Sequence, residues 1–324
     1  MSLPATLSTR LRLPLIAAPM FRVSGVDLVL AACRQGVMGA FPTANCRSVA
    51  ELDDWLRRIG SGLVQSADDG RPAPAPFCPN LIMRRDTLQD ELQCLLRHRV
   101  EVVITSVGSP APVVAPLHDI GCLVLADVAS VRHAEKALEA GADGLILLSA
   151  GAGGQTGWAN GLAFARAVRS FFDGPLVLAG GISDGHALWA ARVLGCDLAY
   201  MGTPFIATHE SLAGDDYKAM LTQCQLDDVM LTSAFTGLPT SMLRPSVVAA
   251  GLDPARLPTD MQAERAAELY GGSAPAAGGP RRWTDIWSAG HSVSGVTAVR
   301  SVAERVAELA ADYDAARVAS ASLR

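Results

Sequence analysis

Charge is scarce in this chain: Asp, Glu, Lys and Arg make up only 18% of its 324 residues. The balance is acidic, 32 carboxylates against 27 Lys and Arg, and no basic stripe appears, so a nucleic-acid partner is not expected. Long apolar runs are missing as well. Half the residues are hydrophobic, yet Gly, Pro or a charge breaks every run before it reaches bilayer length, which excludes a membrane partner. The first residues carry no long apolar segment ahead of a cleavage site, and the expected location is cytoplasmic. The seven cysteines form no C-x-x-C pair. They predict buried or half-buried free thiols rather than a disulfide framework or a zinc knuckle, and no metal-ligand spacing is found elsewhere.

What is present is a rhythm. Eight apolar runs of four to six residues recur: Leu15–Ala18, Val37–Phe41, Phe77–Ile82, Val102–Thr105, Cys122–Ala126, Gly144–Leu148, Leu176–Ala179 and Leu198–Met201. They lack polar alternation, as strands buried on both faces do, which predicts a parallel sheet. Amphipathic stretches between them predict helices over 27–35, 49–59, 87–98, 131–140, 162–172 and 186–194, several stopped by a glycine such as Gly36, Gly141 or Gly195. Eight such units in about 190 residues predict an α/β fold, a (β/α)8 TIM barrel. An open doubly wound sheet is the runner-up, but no G-x-G-x-x-G follows the first run. Residues 66–76 read as a Pro/Gly/Asp-rich loop. Residues 204–300 break the rhythm, with helical stretches at 217–225 and 259–269 and a loose segment at 271–280. The expected division is a barrel over 12–210, a helical lobe near its mouth over 211–299, and a closing helix within 300–324.

Barrel chemistry gathers at the C-terminal ends of the strands. Two glycine turns, Gly180-Gly181 after the seventh run and Gly202-Thr203 after the eighth, can aim backbone N–H groups at a phosphate. The sixth run leads into Ser149-Ala-Gly-Ala-Gly-Gly-Gln-Thr-Gly157, a loop almost free of side chains. Such bare backbone can lie against a flat aromatic ring, with Pro19-Met20 as an apolar floor and the Asn80 amide at the ring edge. Together these pieces point to FMN. Asp127 ends the fifth run, where it either orients ligand hydroxyls or caps the helix starting near Ser130. Of the six histidines, His98, His118, His133, His186 and His209 read as surface, cap or packing residues; His291 lies in a glycine-bearing tail and is a candidate proton carrier.

In combination, PLIAAPMFRVSG, NLIM, ADVASVRHAEKALEAGADGLIL, SAGAGGQTG, GPLVLAGGISDG, LAYMGTPFIATHES and the tail WTDIWSAGHSVSGV resemble the nitronate monooxygenase (2-nitropropane dioxygenase) family over about residues 12–315. The resemblance implies an FMN-dependent barrel with a helical lobe beside the mouth. It implies flavin contacts from Ala18, Pro19, Met20, Asn80, Gly153, Gly154, Gly180, Gly181, Gly202 and Thr203. The family's catalytic histidine position is Gln155 here, and Thr236–Leu243 stands where a second histidine-bearing stretch is expected. A glutamine amide exchanges no proton near neutral pH; it only gives and accepts hydrogen bonds. The expectation is therefore a changed substrate, with Gln155 orienting it and His291 as the substitute acid–base group. Three activities follow: an FMN oxidoreductase of the nitronate monooxygenase type using oxygen, an FMN-dependent reductase of an activated C=C bond or quinone, or a non-catalytic flavin-binding protein. The expected partner is a small-molecule substrate, and a homodimer is compatible with the sequence.

Overall fold

The computed structural model describes residues 3–68, 73–271 and 279–322. Its strands are β1 (Leu15–Ala17), β2 (Met38–Pro42), β3 (Phe77–Ile82), β4 (Val102–Ser106), β5 (Leu123–Val128), β6 (Gly144–Leu148), β7 (Gly154–Gln155), β8 (Leu176–Ala179), β9 (Leu198–Met201), β10 (Val229–Thr232) and β11 (Thr240–Leu243). The eight apolar runs close on themselves as a parallel barrel in the order β1-β2-β3-β4-β5-β6-β8-β9. The seam pairs Leu15 with Ala199 and Ala17 with Met201.

The non-alternating sequence of these strands has a simple cause. Inward residues such as Ile16, Met38, Ile104, Leu125, Ile146 and Val177 fill the barrel, while their neighbours Leu15, Leu145, Leu147, Leu176 and Leu178 pack beneath the outer helices. Both faces are therefore apolar. A short helix, Ala5–Ser8, adds Leu3 and Leu7 to the inner cluster. Arg10 follows it and reaches the Pro74 carbonyl and Glu101, just ahead of β3 and β4, so this plug sits at the N-terminal end of the strands. The opposite end of the barrel stays open.

The helices obey local rules. Gly36, Gly141 and Gly195 have φ of 75°, 92° and 96°, the left-handed conformation that ends a helix cheaply. Ser130 caps Val131–Glu139, Asp184 caps Gly185–Val193, and Ser301 with Glu304 forms a capping box on Val302–Ala321. Two boundaries differ from expectation. The helix Val49–Asp68 continues past residue 65, where a loop was expected, and carries Gly60 and Gly62 within it. The strand β5 extends through Asp127, which therefore stands inside a strand instead of after it.

Beyond β9 the helices Asp215–Gln223 and Ala263–Tyr270 occur near their expected places. Between them lies a hairpin, β10 with β11, which accepts β7 as a third antiparallel strand. Alternation in Val229–Thr232 and Thr240–Leu243 is too short to stand out from the surrounding helical pattern. Most of the loose segment expected at 271–280 lies outside the described residues. All seven cysteines are buried and unpaired. Among the described residues no helix is long and apolar enough to cross a membrane.

The last helix rests on Gly185–Val193. A Cβ at Gly185 would lie 2.1 Å from the Tyr313 backbone nitrogen and 2.5 Å from the Asp312 carbonyl carbon, backbone that cannot step aside as a flexible side chain would. Gly185→Ala is expected to destabilise the fold by about 1–3 kcal/mol, the usual cost of overpacking. Urea unfolding measures it; an unchanged midpoint would show that the two helices separate freely.

Candidate active site

The C-terminal end of the barrel opens into a cavity of about 1320 Å³. That exceeds an ordinary small-molecule pocket of ~300–1000 Å³ and leaves room for a cofactor and a substrate together. Its floor is set by strand periodicity. The inward apolar residues of β3, β4, β5 and β9 are followed two positions later by Asn80, Ser106, Asp127 and Tyr200, all of which line the cavity. Asn80 Nδ2 donates to Ser106 Oγ at 3.1 Å. Asp127 Oδ1 and the Tyr200 hydroxyl are buried with no hydrogen-bond partner among the described residues. Burial pushes the Asp127 carboxyl up to about 7, and burial with the nearby Asp127 charge raises the Tyr200 phenol well above its ordinary value. Asp127 does not cap the following helix, since Ser130 does so. An unpartnered buried carboxyl in a cavity calls for a ligand.

One wall carries the two glycine turns after β8 and β9. Gly180 and Gly181 have φ of 116° and 70°. A Cβ at Gly180 would strike Ser149 Oγ at 2.5 Å, whereas one at Gly181 would meet no protein atom within 4 Å. The Gly181 side thus faces open space. The backbone N–H groups of Gly181, Gly202 and Thr203 find no acceptor among the described residues. The Thr203 hydroxyl is already engaged, accepting from Gly290 N at 2.9 Å. Gly181-Ile-Ser-Asp-Gly185 also spells G-x-S-x-G, but Ser183 lies outside the cavity wall, so no nucleophile is presented there.

The bare loop after β6 has a second use for its glycines. A Cβ at Gly153 would lie 2.9 Å from Gly290 N, and one at Gly290 would lie 2.6 Å from Gly151 O. The loop and the tail 287–291 therefore meet backbone to backbone. Gly154 N donates to Ser288 Oγ at 2.7 Å, and Ser288 Oγ donates to Ser241 O at 2.6 Å. Only Gly154, with φ of 70° and no atom near its Cβ position, is left open toward the cavity.

Gln155 and the unexpected Thr236–Leu243 stretch, far apart in sequence, turn out to be neighbours. Gln155 pairs with Thr240 across β7 and β11, and Thr156 N donates to Pro239 O at 3.1 Å. Leu238, Pro239 and Gln155 line the cavity together. The Gln155 amide makes no hydrogen bond to any described residue.

Of the sequence-derived residues, Ala18, Pro19, Met20, Asn80, Asp127, Gly153, Gly154, Gln155, Gly180, Gly181, Gly202 and Thr203 all line this one cavity. His291 does not. Its ring lies against Gly151, where a Cβ would come within 2.7 Å of Nδ1, and it is exposed away from the cavity. The histidine on the wall is His133, from the helix after β5, which the sequence reading assigned to structure. Ser106, Tyr200, Arg84, Lys136 and Trp158 were also missed: each is a single polar or aromatic residue with no repeated spacing to mark it in the sequence. Among the described residues, three of the four non-glycine residues with positive φ, Arg22 (62°), Val107 (55°) and Trp283 (66°), line the cavity too. A β-branched residue such as Val107 is rarely found there, and strain of this kind collects at functional sites. Outside the cavity, Asp53, Cys94 and His98 approach within 4.8 Å of one another, with Asp53 held by His98 at 2.9 Å and Arg97 at 3.6 Å.

Residues 78–312 match the nitronate monooxygenase family. The chain belongs to that family. A Mycobacterium tuberculosis protein, (3aS,4S,5R,7aS)-5-hydroxy-7a-methyl-1-oxo-octahydro-1H-indene-4-carboxyl-CoA dehydrogenase, is 28% identical over 72% of this chain. The chain spans 64% of that relative's length. Among solved structures, nitroalkane oxidase from Streptomyces ansochromogenes is 27% identical with a TM-score of 0.78, covering 97% of this chain and 99% of that one. FabK from Thermotoga maritima shares the fold, with a TM-score of 0.82 at 22% identity and full coverage of both chains.

The Asp127 carboxyl has a sign-definite effect on stability. Its value rises from 3.8 to about 7 on folding, so between those limits the folded chain holds the extra proton. Stability therefore falls as pH rises through about 4 to 7 and is flat above. Asp127→Asn is expected to remove that fall, leaving the ligand-free variant more stable than the parent at pH 8 by a margin that shrinks toward pH 4. Thermal unfolding across that range decides it; a pH-independent margin would show that Asp127 is solvated.

Proposed function

We propose that this chain is an FMN-dependent oxidoreductase that removes electrons from a small organic substrate at the barrel mouth, with oxygen as the final acceptor. The observation that carries this reading is one cavity holding both two glycine turns with free backbone donors and a carboxyl with no partner. FMN, when bound, supplies an acceptor for a hydride or electrons and returns them to oxygen. The residues present fit it. The Gly181, Gly202 and Thr203 N–H groups hold the phosphate, and the open face of Gly154 admits a ring edge without a side-chain clash. Asp127, titrating near neutral pH, takes the proton that substrate oxidation releases. Gln155 directs its free amide at substrate oxygens and holds them in place without moving a proton. The mycobacterial relative's name, a dehydrogenase, agrees with removal of hydrogen from substrate.

The reductive direction, on an activated C=C bond or a quinone, rests on one observation: Gln155 is an unengaged hydrogen-bond donor rather than a base. FMN-loaded protein distinguishes the two. Anaerobic bleaching by an organic substrate followed by recovery in air supports oxidation. Bleaching only by NAD(P)H, with recovery on an enone or quinone, supports reduction.

Two variants test the parts. Gly181→Asp places a carboxylate where the phosphate is held and is expected to weaken FMN binding at least tenfold while affecting riboflavin less. Equal losses for both flavins would put the phosphate elsewhere; fluorescence titration reads the difference. Gln155→His is expected to gain nitronate oxidation over the parent, followed by oxygen uptake. Equal uptake by the two would mean that position 155 does not set the substrate.

A further inference from the structure

The cavity reverses the charge of the molecule. The chain carries more acids than bases, yet the cavity wall holds Arg22, Arg84, Arg85, Lys136 and Arg282 against the single acid Asp127. Three of these five are committed elsewhere. Arg85 pairs with the buried Glu91 at 2.9 Å, Arg22 donates to Thr284, and Arg282 donates to Phe235 O at 2.8 Å. The Arg84 and Lys136 side chains have neither an ion pair nor a hydrogen bond among the described residues. His133 stands one helical turn before Lys136 on the same helix and lines the same wall.

Their place in the ring sets them apart from the glycine turns. Arg84 follows β3, and Lys136 follows β5, the third and fifth strands of the barrel. The glycine turns follow β8 and β9, the seventh and eighth. The two anion-attracting regions therefore follow different strands of the ring, and one flavin phosphate does not account for both. Continuity along the wall is direct: the Arg84 stem lies 3.8 Å from a Cβ position on Gly108, in the loop between β4 and the next helix. Beside the start of the Lys136 helix lies the loop carrying Trp158. Gly157 there abuts Ala129, with its Cβ position 3.0 Å from Ala129 O. Trp158 lines the cavity with 83% of its surface exposed. A bare indole lining the same cavity as unpaired cations suits a planar base joined to phosphates, because bases stack on aromatic faces while phosphates take the charge.

We propose that Arg84, Lys136 and His133, with Trp158 as a stacking platform, form a second anion site that holds a phosphorylated adenosine handle. The proposal rests on the flavin reading above for its assignment of the glycine turns. Two kinds of molecule carry such a handle: a coenzyme A thioester as substrate, or NAD(P)H as reductant. The wall recognises what they share.

Calorimetric titration of the FMN-loaded chain with coenzyme A, adenosine 3′,5′-bisphosphate, NADH and NADPH tests it. Binding of coenzyme A and the bisphosphate assigns the wall to a thioester substrate; binding of the nicotinamide nucleotides alone assigns it to the reductant. In either case Arg84→Ala and Lys136→Ala should each weaken the ligand about tenfold, and the loss should shrink at high salt. Trp158→Ala should abolish quenching of indole fluorescence by the bound base. Arg132→Ala, on the same helix but off the cavity, should change nothing. Failure of all four probes to bind, or equal binding by parent and both wall variants, overturns the proposal. Protein that binds these probes but not FMN keeps the wall and overturns the flavin reading; protein that binds FMN but none of the probes does the reverse.

Discussion

The architecture of the mouth depends on one contact, the backbone of residues 151–154 lying directly on the backbone of 288–291. Side chains cannot mediate it, because Gly151, Gly153 and Gly290 leave less than 3 Å for any added Cβ. Its hydrogen bonds reach in three directions. His291 N donates to Gly151 O at 2.8 Å, Gly290 N to Thr203 Oγ1 at 2.9 Å, and Ser288 Oγ to Ser241 O at 2.6 Å. The barrel loop, the segment after β9 and the antiparallel sheet are thereby fixed to one strand of chain. Tyr217 reinforces the tie from outside, donating to Ser288 O and stacking on Trp287 with centroids 5.0 Å apart. Gln155 is carried into place by this packing, since β7 exists only because β11 pairs with it.

The electrostatics of the cavity follow from where each charge is allowed to sit. The Asp127 carboxyl at the floor has a buried oxygen and is pushed up to about 7, whereas the cations stand on loops and helices around it. Such an arrangement attracts anions to the opening and handles protons at the bottom. The strained backbone at Arg22, Val107 and Trp283 belongs to the same rim. Strain persists there because the barrel beneath is rigid enough to impose it.

Much of this was legible in the residues, and the parts that were not have identifiable causes. Double-sided burial writes itself as unbroken Val, Ile and Leu, so the barrel strands could be read from β3 to β9 with errors of a residue or two. The glycine turns were legible because conformational need and composition coincide at Gly180 and Gly181. The cationic lining was not, since Arg84 and Lys136 are 52 positions apart and come to one cavity only through the closing of the barrel. His291 misled for the opposite reason: its glycine-bearing surroundings resemble a site, but those glycines serve close packing. Asp127 was open between ligand and cap because a capping residue was needed nearby, and Ser130 fills that need.

The seven buried thiols have a chemical consequence. Sulfur is oxidised as thiolate, and burial holds Cys33, Cys46 and Cys122 near 12 and Cys196 near 11. At neutral pH about one such group in 10⁴ to 10⁵ is ionised at any moment. Oxidants that reach such sulfur find almost no thiolate to attack, so the packing these side chains provide outlasts exposure that would consume a surface cysteine.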